Sequence, residues 1–186
     1  SDADLASDKE MVKSSQWSSA SGAYDYTEDG GEIISITIGG YSLPDVGANQ
    51  SGTGWSWIAA TKTLTLTGAI TGEIRFTGTA TVNLVISGET SAESIYYTGG
   101  DIIISEAAEG SKLTLTRNNY NTLAAKNLTV ESGAIQANVG GDWNKAIYLT
   151  GDLNLKEGAL VLSGSGKSIT GIEAKNISIS GSASVT

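Results

Sequence analysis

Four segments in the second half of the chain are near copies of one another: Gly100–Ser105, Lys126–Glu131, Gly151–Lys156 and Lys175–Ser180. Each opens with Gly or Lys, continues with Asp or Asn, and then alternates apolar with polar residues. From Ile102 to Leu128, Leu153 and Ile177 the steps are 26, 25 and 24 residues. A short unit recurring at a near-constant period must stack on its copies, because one unit alone cannot bury its apolar side.

Within each unit a second apolar-polar alternation follows a tight turn, at Lys112–Thr116, Ala134–Asn138 and Ala159–Ser163. A third precedes the next start, at Ser94–Thr98, Ala146–Thr150 and Thr170–Ala174. Period-two alternation puts one side of each strand on a shared core. The expected fold is therefore all-β: a right-handed, single-stranded parallel β-helix of about 25 residues and three short strands per coil, with an N-terminal cap. Left-handed solenoids use coils of about 18 residues, three hexapeptides, and the calcium-binding nonapeptide repeat is absent. The competing architecture is an antiparallel sandwich, which the fixed recurrence disfavours. Residues 33–92 continue the scheme less regularly, with strands expected at Thr63–Thr67, Glu73–Thr77 and Thr81–Ser87.

Composition removes several chemistries. With 186 residues and neither Cys nor His, the chain forms no disulfide, no Cys/His zinc site and no Ser-His or Cys-His catalytic pair. The net charge of −9 opposes nucleic acid and anionic membrane as partners, since both need a basic patch. No apolar run approaches the roughly 18 residues of a membrane span. Residues 1–32 carry eight acids and two lysines, so most of the acidity belongs to a Ser-rich N-terminal arm or capping segment. Residues 33–186, with 12 acids and nine bases, form the β-helix domain. No cofactor and no metal are expected.

One position of the repeat reads Asp101, Asn127, Asp152, Asn176, preceded by Gly100, Lys126, Gly151, Lys175. Rungs of a parallel stack lie about 4.8 Å apart, so four aspartates in a column would repel. Alternating Asp with Asn, with Lys126 and Lys175 between, predicts a stabilising ladder. Calcium is disfavoured there because Asp101 and Asp152 would stand two rungs, about 9.6 Å, apart.

Upstream, Gly54-Trp55-Ser56-Trp57-Ile58-Ala59-Ala60-Thr61-Lys62-Thr63-Leu64-Thr65-Leu66-Thr67-Gly68 predicts a hairpin at about 55–67 whose two tryptophans share a face. Trp55 and Trp57 are expected to cap the open end of the solenoid. This stretch, followed by the coils, resembles bacterial cell-surface right-handed parallel β-helix proteins of the pectate-lyase-like kind, regarded as adhesins or carbohydrate-binding proteins. The resemblance spans residues 33–186 and implies an extracellular or bacterial cell-surface setting. Where such proteins commonly carry Asp after the second Trp, this chain has Ile58, and the resemblance assigns no functional residues.

The turns after the second strands carry the candidate site. Arg117-Asn118-Asn119-Tyr120-Asn121 and Asn138–Lys145 should bring Tyr120 and Trp143 to neighbouring rungs. With Asn118, Asn119, Asp142 and Asn144 they have the make-up of a sugar platform, rings to stack on and amides to bond hydroxyls. The competing reading folds both rings down over their turns. Tyr96 and Tyr148 are expected to stack as a structural column matched by Leu123 and Ile172. Polysaccharide lyase or glycosidase activity is disfavoured, because Arg75 and Arg117 stand beside no recognisable outward acidic cluster.

The expected role is therefore an extracellular binding or adhesion module for carbohydrate or a host-surface protein, and not an enzyme; the alternative is a stalk that only projects something else. The last strand, near Ser182–Thr186, predicts further coils beyond it or end-to-end self-association through the C-terminal coil.

Overall fold

Gly31–Thr186 are the residues that the computed structural model describes. Strands cover most of them, and a single 3-10 turn, Ala59–Thr61, is the one helical element among them. The coils are parallel, as the recurrence requires. Ile102–Glu106, Leu128–Val130, Leu153–Leu155 and Ile177–Ile179 pair in parallel through Ile102↔Leu128↔Leu153↔Ile177. Together with Thr63–Leu66 and Val82–Ile86 they run along one sheet, called B here. A second sheet, C, stacks Glu89–Ala92, Lys112–Asn118, Ala134–Gly140, Ala159–Ser165 and Ser184–Val185. The third, A, stacks Glu73–Gly78, Ser94–Tyr97, Leu123–Ala125, Lys145–Leu149 and Thr170–Glu173. The chain visits B, C and A in turn on each coil, a β-solenoid with three faces.

The core follows from the alternation. Leu64, Leu84, Ile104, Val130 and Leu155 form one inward column on sheet B, each essentially fully buried. Leu113, Ile135 and Leu160 do the same on C, and Ile74, Ile95, Leu123 and Ile147 on A. Each such side chain withdrawn from water stabilises the stack by roughly 1.5–3 kcal/mol. Leu123 and Ile172 therefore belong with Ile95 and Ile147 in an inward column, in which Ile172 is only partly buried, and do not match Tyr96 and Tyr148. Tyr96 is in register with Ala124, and Ala124 with Tyr148.

At the N-terminal end the pairing reverses. Ile33–Ile38 runs antiparallel to Glu73–Gly78 and turns back on itself through Tyr41–Ser42. Trp55–Ile58 runs antiparallel to both Gln50–Gly52 and Thr63–Leu66. Lys62, in the left-handed region at φ 49°, closes the turn between Trp55–Ile58 and Thr63–Leu66. Both tryptophans point inward and are buried, and the Trp57 indole donates to the Val46 carbonyl at 2.9 Å. Two antiparallel hairpins thus close the end of the core, one on sheet A and one on B.

Ile33–Thr186 form one compact unit; the acidic arm expected at 1–32 falls, except for its last two residues, outside the described residues. Among the described residues no helix is long and apolar enough to cross a membrane.

The coils are not of one length. Registers on sheet B step by 20 residues from Thr63 to Asn83 and from Val82 to Ile102, before the steps of 26, 25 and 24 begin. The growth sits mainly at the C–A corner. Glu89–Ala92 has four residues and passes to Ser94 through Glu93 alone, whereas the next three strands of sheet C have seven each and are followed by four-residue turns. The longer coils therefore overhang the shorter ones at that corner.

Candidate functional site

Under the overhang, the inward phase of Lys112–Asn118 runs Leu113, Leu115 and then Arg117. The first two fill the core. Arg117, beyond the end of the shorter strand beneath, meets the start of sheet A. Its guanidinium donates to the Glu73 carboxylate and to the Ser94 hydroxyl and lies 3.5 Å from Glu93. Arg75 pairs with the same Glu73 at 2.7 Å, and the Ser94 hydroxyl donates to Glu73 at 3.1 Å. The two arginines, expected to stand beside no outward acidic cluster, converge on one carboxylate, that of Glu73. Burial by itself would raise the Glu73 pKa, but hydrogen bonds from Arg117 and Arg75 outweigh it and hold the carboxyl below its ordinary value. Glu73 is thus kept ionised, the opposite of the raised pKa that a glycosidase acid needs.

Three aromatic rings lie against these cations on the outer side of sheet A and its corner. The Arg75 guanidinium lies 4.1 Å from the Tyr96 ring centre, Arg117 5.2 Å from Tyr120, and the Lys145 ammonium 4.5 Å from Tyr148. Tyr96 and Tyr120 touch, with ring centres 6.3 Å apart, inside the range of roughly 4.5–7 Å for aromatic pairs. Outward residues of sheet A fall in the order Arg75, Tyr96, Ala124, Tyr148, Glu173. The two strand tyrosines stand two rungs, about 9.6 Å, apart with the small Ala124 between, and so do not stack on each other. Lys145 also pairs with Glu173 at 3.1 Å. Each cation of this face is therefore matched by a carboxylate.

Tyr120 and Trp143 part company. Tyr120 leans on Tyr96 and Arg117 and remains 44% exposed. Trp143 is 76% exposed, and among the described residues no aromatic ring lies against it. Its backbone is in the left-handed region at φ 66°, fixed by donation from its N–H to the Lys167 carbonyl. A bulky residue in that region is unusual and costs of order 1 kcal/mol or more. The turn around it is held by the polar residues expected to bond a ligand. Asp142 accepts from the Lys167 N–H at 2.7 Å, and the Asn144 amide donates to the Gly140 carbonyl at 2.7 Å. Asn118 lies over Gly140, where a methyl group would come within 2.0 Å of its Oδ1; Asn119 is itself left-handed at φ 72°. Asn118 and Asn119 are exposed, while Asp142 and Asn144 each spend an atom on the turn.

The Asp/Asn column runs along the A–B edge. Asn127 donates to Asp101 at 2.8 Å and accepts from the Asp152 backbone N–H at 2.7 Å; Asn176 donates to Asp152 at 2.8 Å. The amides, and not the lysines, bridge the carboxylates: among the described residues Lys126 and Lys175 form no ion pair and are exposed. Steric room explains the glycines. A Cβ on Gly151 would lie 2.0 Å from Asn127 Oδ1, and one on Gly100 2.3 Å from the Tyr97 ring. Among the described residues no three acidic groups are placed to hold a metal ion.

The chain was compared with family models, curated proteins and solved structures, and none matches it.

Proposed function

We propose that this chain is a carbohydrate-binding module of an extracellular, cell-surface protein, taking a neutral glycan along the corner between sheets C and A. The observation that carries the reading is Trp143, a large ring held out in water by a backbone conformation that is costly to keep. A ring that served packing would fold onto the turn. Tyr120, Tyr96 and Tyr148 extend the aromatic surface from that turn across the outer face of sheet A.

Several features favour a sugar over other partners. Ring faces stack on the apolar faces of pyranoses, and Arg, Glu and Asn groups between them bond hydroxyls. The rungs at Tyr96 and Tyr148 repeat at a spacing comparable to a disaccharide unit of an extended chain. Arg75, Arg117 and Lys145 already face Glu73, Glu93 and Glu173, so the face offers no surplus charge to a polyuronate or sulfated polymer.

The test is an array of neutral and acidic glycans, followed by titration of any hit with the wild type, Trp143→Ala and the Trp143→Ala, Tyr120→Ala double variant. Expected is binding to a neutral glycan, weakened about tenfold by the single change, the scale of one lost stacking contact. Absence of binding across the array overturns the reading in favour of a stalk. Release of new chain ends from a pectin-like polymer overturns it in favour of a lyase.

A further inference from the structure

A second site lies at the capped end. Sheet A continues past its first coil into Ile33–Ile38 and Tyr41–Ser42, and sheet B into Trp55–Ile58 and Gln50–Gly52. Among the described residues sheet C does not: above Glu89–Ala92 it has only the isolated bridge from Ala69 to Ser91. Two hairpins therefore rise on either side of a position that no described strand of sheet C fills. The space between them is an open cleft of about 430 Å³, lined among others by Tyr41, Ser51, Gly52, Thr53, Trp55 and Thr71. That volume falls within the range of small-molecule sites.

Trp55 sets the chemistry. It is only 8% exposed, yet among the described residues its indole N–H has no acceptor, whereas that of Trp57 has the Val46 carbonyl. An indole nitrogen donates only, so an occupant that covered it without offering an acceptor would leave it unpaired at a cost of about 1–3 kcal/mol. Gly52 keeps its edge clear, since a Cβ there would stand 2.6 Å from Nε1. Any other residue at 52 would cover or displace the donor. Tyr41, with its ring centre 6.1 Å from that of Trp55 and 53% exposed, offers an aromatic face at the mouth of the same cleft. Hydroxyls of Ser51, Thr53 and Thr71 complete a polar rim, and among the described residues no charged side chain lines it.

We infer that this cleft is a second ligand site, which takes a neutral, hydroxyl-rich ring the size of one sugar residue. The ligand presents an oxygen to Trp55 Nε1 and an apolar face to Tyr41. A carboxylated or phosphorylated ligand finds no counter-charge here, and a purely apolar one leaves the indole donor unpaired. The inference rests on the capping hairpins alone and stands whether or not the Trp143 corner binds glycan.

The test follows the indole N–H resonances of the full chain by proton–nitrogen correlation spectroscopy, during titration with neutral methyl glycosides and N-acetylated sugars. The Trp55 signal is assigned by its loss in Trp55→Phe, which removes the donor and keeps most of the bulk. Expected is a saturable shift of the Trp55 signal with at least one sugar, a still Trp57 signal, and binding weakened about tenfold in Tyr41→Ala, the scale of one stacking contact. Overturning results are a Trp55 signal unmoved by every sugar, a shift that does not saturate, or a shift unaffected by Tyr41→Ala. Movement of the Trp143 signal alone also overturns it, while supporting the corner site. Should Trp55→Phe fail to fold, the wild-type titration and the exposed Tyr41→Ala variant still decide the matter.

Discussion

Replacing Asn127 by Asp changes one amide into a carboxylate without altering shape, and places three negative charges in sequence along the A–B edge. Asn127 now donates to Asp101 at 2.8 Å and accepts from the Asp152 N–H at 2.7 Å. The variant keeps the second bond and loses the first, a charge-assisted contact of about 1.5–3 kcal/mol. Two like-charge contacts appear at a rung spacing of about 4.8 Å, each costing about 1 kcal/mol in a water-like dielectric and more nearer the interior. Asp101, Asn127 and Asp152 are half-buried, so the lower figure applies and the total is about 3–4 kcal/mol. Urea unfolding followed by circular dichroism should show this loss at pH 7 with an unchanged slope. The penalty is a charge effect, so its electrostatic part should shrink in about 1 M NaCl, where the Debye length falls to about 3 Å, below the rung spacing. Inverting the whole column, with Asp101→Asn, Asn127→Asp, Asp152→Asn and Asn176→Asp together, restores the alternation and should recover most of the stability. Equal losses at low and high salt, or no loss at pH 7, would refute the claim that the amides act by separating charge.

Two further outcomes follow from titrating groups. Tyr97, fully buried with its hydroxyl donating to the Ala80 carbonyl at 2.7 Å, has its pKa pushed up to about 12, by burial first and the nearby Asp101 second. A folded pKa above the unfolded value near 10 stabilises below about pH 10 and is lost as the pH rises towards 12. About 3 kcal/mol should vanish over that window, which urea unfolding at a series of pH values between about 10 and 12 should show, and Tyr97→Phe should remove that dependence. Glu73→Gln has the opposite sign: the lowered pKa of Glu73 means that its contribution is present above the ordinary carboxylate range and fades as the pH falls through the folded value. The variant should melt lower than the wild type at pH 7, by an amount equivalent to about 1–3 kcal/mol, and converge with it in acid; a constant gap in melting temperature would sink the ion-pair account.

The stacking was legible because each late coil reuses the same edge. Gly or Lys, Asp or Asn, then Leu or Ile at 102, 128, 153 and 177 fixes both the register and the inward face. The corner was harder to read because its turns vary from one residue after Ala92 to four after Asn118. An uncertain turn leaves the register open, and one residue of slip exchanges the two faces of a strand. That slip put Tyr96 beside Leu123, when its true neighbour is Ala124 and the core tyrosine is Tyr97. Counting by twos from Leu113 and Leu115 would have placed Arg117 inward, a signal present in the sequence. The orphan indole of Trp55 had no such signal, since Trp55 and Trp57 occupy like positions and differ only in which carbonyl comes within reach.

Coil length explains why the corner between C and A carries chemistry while the opposite side carries structure. At the A–B edge the connections stay short, and the Asp/Asn column locks successive rungs by side-chain hydrogen bonds. At the C–A corner the added residues lie beyond the last core position of each strand, so their side chains are released from packing. Arg117 uses that freedom to clamp the shorter coil beneath, through Glu73 and Ser94. Trp143, one coil later, has no shorter coil to fold onto, because Ala134–Gly140 rests on a strand of its own length. Its ring is left in water for the same geometric reason that Arg117 is not. The lengthening of the coil at Lys112–Asn118 thus both seals the core and creates the exposed aromatic turn above it.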